Sequence, residues 1–160
     1  MKYHKLTHEQ FEELHHEFAV FLATQGLDYS NWANIKESEP KYVDDLLDLF
    51  SDLVWDKIIS ECKFLEHISR DQLFLFKNDD DKASAIVVKV SNKEIDFASS
   101  EGFEWILKHF DSDNVTIYMG SKSYDLSKND FVYSYLKKGA IQTDGHRFKV
   151  LETYFSNSAK

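Results

Sequence analysis

The chain has 160 residues, 42% of them hydrophobic and 15% aromatic, with one proline and one cysteine. That composition excludes a disordered chain, and the length suits one domain, residues 1–160, that buries about two-thirds of its unfolded surface without a disulfide or metal staple. The net charge of −9, with lysines and arginines scattered instead of massed in a stripe, argues against nucleic acid as the main partner.

The opening MKYHKLTHEQ carries two lysines with no apolar run behind them, so no secretory leader is expected. The longest apolar runs, such as Leu73 to Phe76 and Ala85 to Val88, fall far short of the ~18–20 residues that span a bilayer. Cys62, alone, forms neither an intramolecular disulfide nor a cysteine zinc cluster. These features together predict a cytoplasmic protein with no membrane partner.

In chain order, Thr7 and Gln10 make a capping box, with Leu6 and Phe11 as its hydrophobic staple. Phe11, Leu14, Phe18 and Leu22 then repeat on one helical face, and Gly26 marks a left-handed stop. The first helix is therefore expected over 8–25. A short helix carrying Trp32 and Ile35 follows, starting after Asp28 or Ser30, and Pro40 suits the first turn of the next. Tyr42 to Cys62 is the most apolar helix-periodic stretch. Val43, Leu46, Leu47, Phe50, Val54 and Ile58 line one face, and Tyr42, Leu49, Leu53 and Ile59 widen it, which predicts cover on more than one side. Ser51-Asp52 reads as a possible pause in that helix, because Ser and Asp side chains compete for backbone bonds.

Strand signals come next. Phe64 to Ile68 and Gln72 to Lys77 form a hairpin through Ser69-Arg70-Asp71. Asp79 to Lys82 is a polar turn, Ala83 to Val90 a buried β-branched strand, and Glu94 to Ala98 a fourth strand after the Asn92-Lys93 turn. Ser99 caps a helix bearing Phe103, Ile106, Leu107 and Phe110. Val115 to Met119 is a strand ended by Gly120. Ser127 and Asp130 open another helix, stopped by Gly139. Asp144-Gly145 is a turn, and Phe148, Leu151 and Phe155 predict a final short helix. The fold class is α+β: an antiparallel sheet of four to five short strands packed against a central helix, with an N-terminal helix and C-terminal helices.

Several of these segments carry a resemblance: Lys5-Leu6-Thr7 with Glu9-Gln10-Phe11 and Leu14-His15; Phe50-Ser51-Asp52 with Val54-Trp55; Phe64 to His67; Leu73 to Phe76; Glu101-Gly102-Phe103 with Trp105; Gly120-Ser121-Lys122 with Tyr124; and Gly139-Ala140 with Asp144-Gly145. The chain resembles, over nearly its full length, a small family of unknown function from one group of Gram-negative bacteria. The resemblance implies a soluble bacterial protein and supplies no functional residues. Some members bear the label of histidyl-tRNA synthetase, but this chain is too short for a class II catalytic domain and lacks its arginine-containing ATP motifs.

Four clusters bear on chemistry. Glu12 and His15, repeated as Glu13 and His16, have the Glu-x-x-His spacing of helix metal sites, but no second helix carries the matching motif. A solvated face is the plainer account, and no metal or cofactor is expected. Asp44, Asp48, Asp52 and Asp56 form an acidic stripe that suits a solvent face or a docking partner; one helix alone cannot wrap a cation. Glu66 and His67 are adjacent on a strand and point to opposite faces, so they make no dyad. Gly120-Ser121-Lys122-Ser123 superficially resembles a phosphate loop, but lacks the first glycine of that motif and does not lead straight into a helix.

No catalytic set emerges. Abundant aromatics, among them Trp32, Trp55, Tyr42, Tyr124 and Tyr133, favour a non-catalytic protein-interaction or assembly module whose partner is another protein. The alternative is a small enzyme or ligand-binding protein with a pocket between sheet and helices, using Glu66, His67 and Lys122.

Overall fold

The structure is a computed structural model that describes residues 2–158. The chain divides into two compact units, Met1–Ile58 and Ile59–Lys160.

The first unit is helical. It contains α1 (His8–Glu13), α2 (His15–Thr24), α3 (Tyr29–Ser38) and most of α4 (Pro40–Ser60). The capping box is present at Thr7, whose side chain accepts from the Gln10 amide while Gln10 accepts from Thr7. A second box sets α3 at Asp28 with Asn31. Leu6, Phe21, Leu22, Leu46 and Phe50 are buried together. Phe18 joins them, its ring 5.0 Å from Phe50 and 5.2 Å from Trp32. Each fully buried side chain of this size contributes roughly 1.5–3 kcal/mol.

Three expectations change here. The helix expected over 8–25 is two helices that meet at Leu14 (φ −99°, ψ 22°). The His15 ring supplies the reason: its Nδ1 lies 3.0 Å from the Glu12 carbonyl, an acceptor the continuous helix would use. The anticipated pause at Ser51-Asp52 does not occur, and α4 is unbroken. Ser51 is fully buried and donates its hydroxyl to the Leu47 carbonyl at 2.7 Å, a bond compatible with helix. Finally, Tyr42, Leu49, Leu53 and Ile58 are exposed, so the buried face of α4 is narrower than the sequence pattern suggests.

The second unit holds the sheet: β1 (Phe64–Ile68), β2 (Gln72–Asn78), β3 (Lys82–Val90), β4 (Val115–Ser123) and β5 (Ile141–Gln142), with α5 (Ser100–His109), α6 (Lys128–Lys137) and α7 (His146–Ser158). Strand order is β4-β3-β2-β1-β5, antiparallel throughout. Pleat alternation divides the side chains between two faces. Leu73, Leu75, Ile86 and Val88 point to one face, where Ile106 of α5 and Phe148 and Leu151 of α7 cover them. Phe76 points to the other, where its ring meets Phe131 and Tyr135 of α6 at 5.7 and 4.5 Å. Gly145 turns the chain into α7 with φ +81°, and a Cβ there would lie 2.5 Å from the Phe64 ring.

The fourth strand expected at Glu94 to Ala98 is absent: those residues lie in turns. Asn92 and Asp96 accept from the amides of Glu94 and Ala98, so local side chains take the bonds a ladder would need. The strand expected to end at Met119 instead continues through Gly120 to Ser123. No helix of the described residues is long and apolar enough to cross a membrane.

Candidate functional site

The acidic stripe of α4 is engaged by the chain itself. Asp52 accepts from the backbone amides of Lys2 and Tyr3 at 2.8 and 2.9 Å. Asp56 accepts from the Tyr3 hydroxyl at 2.6 Å and pairs with the Lys2 ammonium at 3.0 Å. Lys5 pairs with Asp44, and with Asp48 at 3.1 Å. The Leu6 amide donates to the Ser51 hydroxyl at 3.1 Å. Residues 2–6 thus run antiparallel to α4, with Tyr3 and Leu6 buried. Burial first, then the bond to Asp56, raises the Tyr3 phenol above its ordinary pKa. Bonds to Asp56 and to Asp44, respectively, raise Lys2 and Lys5. Two lysines spaced around Tyr3 just before a cap, facing an aspartate stripe, were the signal available in the sequence.

The other nominated residues do not converge. Glu12 pairs its carboxylate with His8 Nε2 at 2.9 Å, while the His15 ring meets the Glu12 backbone carbonyl instead of the carboxylate. Among the described residues no group of three or more His, Cys, Asp or Glu side chains is placed to hold a metal ion. Glu66, 3% exposed, lies on the α5/α7 face and binds Arg147 Nη1 at 2.9 Å. His67 lies on the α6 face, 6.3 Å from the Phe74 ring. Lys122 belongs to β4, three strands away, and pairs with Asp125 at 2.9 Å. Gly120 to Ser123 is strand and not a phosphate loop. Cys62 is fully buried, and that burial pushes its thiol pKa up, the opposite of what activates a nucleophile.

What the sequence did not reveal is the outer edge of β4. This strand borders the sheet and pairs only with β3, and every residue from Tyr118 to Ser123 is exposed. Which backbone groups face outward follows from the ladder. The Ser91 amide donates to the Asn114 carbonyl at 2.9 Å, just beyond the Val90–Val115 pair. Hydrogen-bonded pairs alternate along an antiparallel ladder, so Thr116, Tyr118, Gly120 and Lys122 bond inward to β3. Ile117, Met119 and Ser121 aim their N–H and C=O groups away from the sheet, and no bond from their amides to another backbone group occurs among the described residues. The opposite border, β5, is two residues long.

Beside this edge, the α6 face has a hollow of about 320 Å³. Its floor is Ala83, Ala85 and Gly120, and its walls are Phe76, Phe131 and Tyr135. A Cβ on Gly120 would meet nothing within 4 Å, so the space above this residue is open. Tyr124 fixes the strand's end: its hydroxyl donates toward the carbonyls of Asp79 at 2.6 Å and Lys82 at 2.9 Å. Burial, and then the charges of Asp79, Asp81 and Asp80, push its pKa up to about 12.

A family model for a family of unknown function, DUF6495, matches residues 1–156. The chain belongs to that family. No curated protein and no solved structure matches it. The family therefore brings no assigned chemistry, and the geometry of the chain must carry the functional reading.

Proposed function

We propose that this protein is a non-catalytic interaction module that binds another polypeptide by strand addition to β4. One observation carries the reading: a nine-residue border strand whose outward N–H and C=O groups at Ile117, Met119 and Ser121 are unspent among the described residues. Proteins normally blunt such edges with short strands, prolines, bulges or inward charges. β5 follows that rule with two residues, whereas β4 has no proline, and its one charge, Lys122, lies near its end. An added strand would gain main-chain bonds along the edge, and alternate side chains would supply selectivity. Glu66 and His67 lie on opposite faces of the sheet and Lys122 three strands away, which weighs against an enzyme built on them.

The test uses a fluorescent peptide with the sequence of residues 115–123 as a strand probe. Polarisation should rise on titration with the dilute full chain, and Ser121→Pro should abolish the rise, because it removes an outward donor the fold does not use. Absence of binding, or equal binding by Ser121→Pro, would refute the reading.

A further inference from the structure

We infer that the strand that pairs with β4 is β4 of a second copy of this chain, in an antiparallel arrangement about a two-fold axis at Met119. The inference rests on β4 being a pairing edge and names its partner. Three observations on the strand support it.

The first is register. β4 runs from Val115 to Ser123, so its midpoint is Met119. Full overlap of two such strands requires the axis there, and it joins outward residues to outward residues: Met119 to its own counterpart, Ile117 to Ser121, Val115 to Ser123. Every outward group from Ile117 to Ser121 then finds a partner, as an antiparallel ladder demands, while the Val115 amide already donates to the Ser112 carbonyl at 3.0 Å.

The second is fit. The same register sets Tyr118 opposite Gly120 of the other copy, at a non-hydrogen-bonded position where side chains approach most closely. Both residues belong to the α6 face. Tyr118 is 56% exposed, and the space above Gly120 opens into the hollow over Ala83 and Ala85. An aromatic ring laid across a cross-strand glycine is a recognised stabilising pair. Here each copy supplies one ring and one hollow, the reciprocity a two-fold interface requires.

The third is charge and closure. The chain has 28 acidic residues, and none lies between Val115 and Ser123. Lys122, the one charged side chain of β4, meets Thr116 of the other copy and not its own counterpart. Pairing uses up both long edges, leaving two-residue β5 strands at the borders of the joined sheet. The assembly stops at two.

Sedimentation across a concentration series, with the full chain, tests this. The expected result is a monomer–dimer equilibrium. Met119→Pro should weaken it at least about 30-fold, the equivalent of two backbone bonds lost at the axis. Tyr118→Ala should weaken it as well, and all variants should keep the circular dichroism spectrum. A fold-neutral check is Met119→Cys, which should form an intermolecular disulfide with itself on mild oxidation while buried Cys62 stays reduced. A dimer indifferent to Met119→Pro and Tyr118→Ala, or a Met119→Cys chain that does not cross-link, would overturn the proposal. A monomer at every concentration that still binds the 115–123 peptide would overturn the second-copy partner and leave strand addition standing. A monomer that binds no peptide would overturn both.

Discussion

Residues 2–6 and β4 are both extended, and they differ in where their backbone polar groups go. The amides of Lys2, Tyr3 and Leu6 end on Asp52 and Ser51 of α4. The outward amides of Ile117, Met119 and Ser121 end on no backbone group of their own chain among the described residues. The difference shows how to tell a sticky segment from a satisfied one: count the donors and acceptors, not the charges or the apolar residues. The aspartate stripe looks like a docking surface in the sequence, yet its carboxylates are engaged. β4 looks like a short strand ended by glycine, yet its outer edge is the surface left open.

The largest effect is expected where the satisfied segment is undone. Asp52→Ala removes the acceptor of two backbone amides at once. Hydrogen bonds to a charged group contribute about 1.5–3 kcal/mol each when well shielded, and partial exposure lowers that, so the expected loss is about 2–3 kcal/mol. Urea unfolding measures it, and hydrogen exchange should show the amides of residues 2–6 opening first. An unchanged midpoint would mean that burial of Tyr3 and Leu6 holds the segment without the carboxylate.

A smaller contrast tests β4. Tyr118→Pro deletes an inward donor and leaves the Val87 carbonyl without its partner, at an expected cost of about 1–3 kcal/mol. Met119→Pro, one residue on, deletes an outward donor and should change monomer stability by less than about 1 kcal/mol. Equal costs at the two positions would contradict the alternation derived from the ladder.

Much of this fold is legible in the sequence because its signals are local. Thr7, Ser99 and Ser127 cap the helices they announce. Gly26, Gly139 and Gly145 take the positive φ that their turns suggest. The misses come from competition that pattern alone does not weigh. His15 takes a carbonyl from the first helix, and Asn92 and Asp96 take amides from the expected fourth strand. The site was hidden for a related reason. Gly-Ser-Lys-Ser has weak strand propensity, but β3 offers partners as far as Lys82, and Lys82 pairs with Ser123. Tertiary pairing overrides local preference there, and the exposed end of β4 is the result.

The two regions should also part in alkaline solution. Tyr124, whose phenol is pushed up to about 12, stays protonated in the folded chain after it would ionise in the unfolded one. Its contribution is whole below the ordinary tyrosine pKa of about 10 and is lost as pH rises from there through about 12. Tyr3 is shifted in the same direction. Unfolding free energy should therefore fall above about pH 10, and Tyr124→Phe and Tyr3→Phe should each flatten part of the slope. Tyr124→Phe should act at the end of β4, and Tyr3→Phe at the segment on α4, as exchange of the neighbouring amides would show. A slope untouched by both substitutions would assign it to other groups.

The smallest effect separates the regions by sign. At about 1 M salt the screening length is about 3 Å, so exposed ion pairs lose most of their attraction. Lys2–Asp56, at 3.0 Å, is the more exposed such pair and the half-buried Lys5–Asp48, at 3.1 Å, is screened less, so the seat of residues 2–6 should loosen slightly. It should not open, because the Tyr3 amide bond to Asp52 is part-buried and Leu6 stays in the core. Pairing of β4 should respond the other way. Each copy carries a net charge of −9, and screening weakens their mutual repulsion while leaving backbone bonds and the Tyr118–Gly120 contact intact. Salt should thus speed amide exchange at residues 2–6 and lower the dimer dissociation constant in the same sample. A dimer that salt dissolves would mean that its interface is ionic, which the uncharged middle of β4 does not provide.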